Sequence, residues 1–96
     1  MITREQAISL AHDFVAQSGY AVEFDVPQVR HMDAARINRL FGRQIYPCDS
    51  WIVEFPKILP EGVTESPGTV MVVLLEETGE LREVYVAMPI EWARFP

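Results

Sequence analysis

The chain has 96 residues and a mass of 11.0 kDa, room for one domain spanning residues 1–96 and not for two. Apolar residues make up 49% and charged residues 23%, the balance of a folded globular domain rather than a disordered chain. Eight basic and fourteen acidic side chains leave a formal charge of −6, which repels phosphate backbones and argues against nucleic acid as a partner. The charge is unevenly placed. Residues 1–48 carry five acids and five arginines, whereas residues 49–96 carry nine acids and three bases. The longest apolar run, residues 70–75, is too short to cross a membrane, so no membrane association is expected. The opening MITREQ lacks the basic-then-apolar plan of a secretion signal. With one cysteine, Cys48, no intrachain disulfide is available, and a reducing cytoplasm is the expected location.

The first predicted element is a helix. Thr3 is a good N-cap with Gln6 three residues on, as a capping box requires, and Gly19 stands where the helix should end. Ala7, Ile8, Ala11, Phe14 and Val15 recur at helical spacing, and Phe14 is expected to pack on Trp51 in the core. Residues 20–26 alternate Tyr20, Val22, Phe24 and Val26 with smaller or charged residues, the period of a half-buried strand that Pro27 interrupts. Asp33 caps a short second helix, residues 34–41, with Ile37, Leu40 and Phe41 inward and Arg36, Arg39 and Arg43 outward.

The second half reads as sheet. Trp51, Val53 and Phe55 alternate in one strand. Residues 56–68 hold three prolines and two glycines and read as a loop. Residues 69–76 and 81–88 form a hairpin around Glu77-Thr78-Gly79-Glu80, and the chain closes with a short tail bearing Trp92 and Phe95. Together these elements predict an α+β fold: an N-terminal helix packed on an antiparallel sheet of about four strands, cystatin-like in plan, plus a short second helix.

Little catalytic chemistry is legible. The five glycines are scattered at element ends rather than grouped as a phosphate cradle. The nearest set of metal-ligating types, His31, Asp33, Cys48 and Asp49, with His12 elsewhere, has neither a His-x-x-x-His nor a Cys-x-x-Cys spacing, so no metal site and no cofactor are expected. Cys48 follows Pro47 with no adjacent His–carboxylate pair and is read as a small hydrophobe, so the protein is expected not to be an enzyme.

The hairpin is the one unusual feature. Val70, Val72 and Leu74 share one face of their strand, while Met71, Val73 and Leu75 share the other. One helix covers one face of a sheet, so the second apolar face needs the tail, the second helix, another copy of the chain or a foreign partner. The expected partner surface is Met71, Val73, Leu75, Val84 and Val86, rimmed by Glu76, Glu77 and Glu80.

Three stretches carry a family resemblance. ITREQAISLAHDFV resembles the opening helix of the PepSY-like group, WIVEF its W-x-V-x-F strand, and VMVVLLEETGELREVYV its closing hairpin. Within that group the chain resembles the immunity protein thirty-five family of bacterial polymorphic toxin systems, over residues 2–19, 50–55 and 70–87. The resemblance implies a small cytoplasmic protein that neutralises a cognate toxin without catalysis. Residues 28–46, with their arginine-bearing helix, have no counterpart in that pattern. The alternative expectation is a structural homodimer or a small-ligand module of cystatin-like or nuclear transport factor two-like plan.

Overall fold

A computed structural model of the chain describes residues 1–42, 46–58 and 68–87. The expected tail with Trp92 and Phe95, most of the proline-rich loop, and Arg43 lie outside the described residues. The architecture is α+β, as expected. Helix α1 (Arg4–Ser18) is followed by β1 (Gln28–Met32), α2 (Ala34–Phe41), β2 (Ser50–Pro56), β3 (Thr69–Leu75) and β4 (Leu81–Ala87). The strands form one antiparallel sheet in the order β1-β2-β3-β4.

Both helices start where the sequence places them. The Gln6 backbone N–H donates to Thr3 Oγ1 at 3.1 Å, and the Thr3 N–H donates to Gln6 Oε1 at 2.8 Å, a complete capping box. Asp33 accepts from the Arg36 N–H at 2.8 Å and caps α2. The stripe of α1 that meets the sheet is Ala7, Ala11 and Val15, all fully buried. Two alanines in that stripe let the helix axis sit close to Val53, Phe55, Val70, Val72 and Leu74 beneath it.

Phe14 is only half-buried at the margin of this core. Trp51 lies near the start of α1 instead, donating its indole N–H to the Ile2 carbonyl at 3.3 Å. Twelve residues separate Ile2 from Phe14, about 18 Å along a helix. The expected Phe14–Trp51 pairing is therefore replaced by contacts at opposite ends of α1.

The first strand is displaced from its expected position. Residues 20–26 contribute one isolated bridge, Val22 to Lys57, flanked by two backbone bonds: Glu23 N–H to the Pro56 carbonyl at 2.8 Å and Ile58 N–H to the Ala21 carbonyl at 3.0 Å. The ladder proper begins after Pro27, which has no N–H to give, and runs through Gln28–Met32 opposite β2. The apolar side chains of the earlier segment are still used. Val22 is buried, and Phe24 packs edge-on to Phe55 with ring centroids 5.4 Å apart.

The second face of the sheet is also covered. Met32, Ile52, Met71, Val73 and Leu75 form a buried cluster with Ile37 of α2 and with Tyr46. Tyr46 is held there by Asn38, whose Oδ1 accepts from the Tyr46 N–H at 2.9 Å and whose Nδ2 donates to the Tyr46 carbonyl at 3.1 Å. Leu40, expected inward, is 41% exposed, because an eight-residue helix turns only a narrow stripe toward the sheet. Cys48 is a free, half-buried thiol packed against this cluster.

Candidate functional site at the hairpin end

The β3–β4 register separates the residues expected to form one partner surface. Val70 lies opposite Val86 and Val72 opposite Val84, so both β4 valines share the α1 face. Met71 lies opposite Tyr85 and Val73 opposite Glu83, on the α2 face. Met71, Val73 and Leu75 are buried beneath α2 and Tyr46, and Val84 packs against the α1 core. Val86 remains 44% exposed at the edge strand. As placed, these five residues do not make one continuous accessible surface. The second helix and Tyr46 occupy the face that an external partner would have needed.

The three glutamates of the expected rim have a different setting. Leu75 N–H donates to the Glu80 carbonyl and Gly79 N–H to the Leu75 carbonyl, both at 2.8 Å, closing the turn. Glu80 N–H also donates to Thr78 Oγ1 at 3.1 Å. Gly79 has φ +76°, and a Cβ there would come within 3.1 Å of Leu10 Cδ1 and 3.2 Å of Ile2 Cγ2. Glycine thus serves twice, for backbone conformation and for close docking of the turn on Ile2 and Leu10. Ile2 N–H adds a bond to the Glu76 carbonyl at 2.7 Å. The turn that carries Glu77 and Glu80, both exposed, is therefore tied to the rest of the domain.

Below the turn, Glu76 and Asp49 continue the β2–β3 ladder by one bond, Glu76 N–H to the Asp49 carbonyl at 2.9 Å. The Glu76 side chain is mostly buried and pairs with His31, Oε2 to Nε2 at 3.0 Å. His31 lies across from Trp51 in the β1–β2 register and packs edge-on to its indole, centroids 4.9 Å apart. Asp49 Oδ1 accepts from the Ala34 N–H at 2.9 Å, at the start of α2. Of the four ligand-type residues singled out in sequence, His31 and Asp49 therefore meet, joined by Glu76 rather than by Asp33 or Cys48. Asp33 is occupied as the α2 cap.

The result is one end of the sheet that carries four carboxylates, Asp49, Glu76, Glu77 and Glu80. Arg82 lies 3.5 Å from Glu80, while His31 pairs with Glu76. No helix among the described residues is long and apolar enough to cross a membrane. No protein-family model, curated protein or solved structure matches this chain.

Proposed function

We propose that the protein is a non-enzymatic binding protein of the immunity type, which neutralises a cognate toxin in the cytoplasm by masking a basic surface of it. The observation that carries this reading is the acidic hairpin end. Exposed carboxylates sit there on a turn anchored to α1, so the backbone that carries them is already ordered before a partner binds. Both sheet faces carry buried clusters made by the chain's own elements, which favours the hairpin end over the apolar face as the recognition surface. Complementary charge of this kind steers association and rejects acidic competitors. The resemblance to the immunity family supplies the partner class.

Co-expression with the toxin domain encoded beside this gene is the test. The wild type restores growth, whereas the double reversal Glu77→Lys/Glu80→Lys, folded by circular dichroism, loses the rescue. Undiminished rescue by the reversal contradicts the assigned surface. A gene neighbourhood that encodes no toxin domain contradicts the immunity reading itself.

A further inference from the structure

Masking a partner makes no use of the triad beneath the turn. His31, Asp49 and Glu76 offer one imidazole nitrogen and two carboxylate oxygens, all within 4.8 Å of one another. The geometry points to a divalent transition-metal site at this triad, with zinc the fitting ion. Imidazole nitrogen favours zinc and its first-row neighbours over calcium or magnesium, and carboxylate oxygen completes a mixed set. Zinc binds such atoms at about 2.0–2.2 Å in tetrahedral array, which sets neighbouring ligand atoms about 3.4 Å apart. His31 Nε2 and Glu76 Oε2 already stand 3.0 Å apart. With the three atoms within 4.8 Å of one another, the third atom needs to close by at most about 1.4 Å to reach that spacing.

The supports of the triad are those of a ligand set. The three residues come from separate segments fixed by backbone pairing, His31 opposite Trp51 and Glu76 bonded to Asp49. Asp49 Oδ1 is oriented by the Ala34 N–H, and a carboxylate that accepts one hydrogen bond keeps lone pairs free to coordinate. The Trp51 indole packs edge-on to the His31 ring and limits its rotation. Groups that orient ligands in this way matter nearly as much as the ligands themselves.

Charge agrees with the geometry. Among the described residues neither carboxylate meets a lysine or arginine, and the one base beside Glu76 is His31. A dication held by two carboxylates and a neutral imidazole leaves the centre without net charge. Three protein ligands leave a fourth position for water, and the His31 side chain, 39% exposed, leaves a route in from solvent.

The site is tested with zinc alone, titrated into the full chain by calorimetry and by competition with a chromophoric chelator. Wild-type protein takes up one zinc per chain and melts at a higher temperature with it. His31→Ala and Glu76→Gln each weaken binding at least tenfold and abolish the rise in melting temperature. His12→Ala removes an exposed histidine beside Asp13 on α1 and leaves binding unchanged. Should Glu76→Gln fail to fold, Asp49→Asn, which retains an oxygen for the Ala34 N–H, takes its place with the same expected loss. Absence of stoichiometric uptake by folded wild type overturns the proposal, as does binding that survives His31→Ala. Glu77 and Glu80 lie outside the triad, so the partner-masking test succeeds or fails independently of this one.

Discussion

On one face of the sheet a fifteen-residue helix lies over Val53, Phe55, Val70, Val72 and Leu74; on the other, an eight-residue helix and Tyr46 lie over Met32, Ile52, Val73 and Leu75. The first face is closed by apolar area, with alanines bringing helix and sheet together. The second is closed partly by directional bonds. Asn38 grips both backbone groups of Tyr46, the Tyr46 hydroxyl bonds to Glu83, and buried Glu54 pairs with Arg30. Ser50, also buried on this face, has no hydrogen-bond partner for its hydroxyl among the described residues. A short helix cannot supply enough apolar area by itself, and polar bonds that satisfy the buried groups make up part of the difference.

The contrast is broken most severely from the first face. Phe55→Ala should destabilise the domain by about 3–5 kcal/mol in denaturant melts, the range for truncating a fully buried aromatic. That is a large share of the stability of a domain this small. A loss below about 1 kcal/mol would mean that the α1 core is not the main one. On the second face, Asn38→Ala should cost about 1–3 kcal/mol, because it removes both side-chain hydrogen bonds to the Tyr46 backbone. Phe14→Ala should cost about 1–2 kcal/mol, less than Phe55→Ala, since a half-buried ring forfeits only part of its transfer energy. Equal losses at Phe14 and Phe55 would contradict the observed phase of α1. Ser50→Ala sharpens the comparison in the opposite direction. It removes an unsatisfied hydroxyl and should raise stability by up to about 1 kcal/mol, read as a higher denaturant midpoint at unchanged slope.

What was legible in the sequence followed from local chemistry. Thr3, Gln6 and Asp33 announce the two helices because a cap is written within a few residues of the bonds it makes. The hairpin is equally local, with its turn fixed by Thr78 and Gly79. Alternation points to residues 20–26 rather than to the first strand, because they alternate more cleanly than QVRHM, in which only Val29 and Met32 are apolar. Pairing with β2 decides the matter, and pairing is not visible in one segment. The cover of the second face was likewise hidden, since it depends on where α2 and Tyr46 fold back. His31, Asp49 and Glu76 are far apart in the chain and meet only through sheet register. One signal could have joined two of them. Asp49 directly precedes β2 and Glu76 directly follows β3, so antiparallel pairing of those two strands brings them side by side.

The chain closes the second sheet face itself, with Ile37 of α2 and Tyr46 in the buried cluster there. Thiol labelling reads that closure directly, with Val73→Cys and Val86→Cys each made in a Cys48→Ser background. Val73 is fully buried in the cluster that contains Ile37 of α2 and Tyr46, whereas Val86 is 44% exposed. The Val86→Cys protein should react with an aqueous thiol reagent at the rate of an unprotected cysteine. The Val73→Cys protein should react only after denaturation. Rapid labelling of folded Val73→Cys would contradict the account, because it would make that face an open surface.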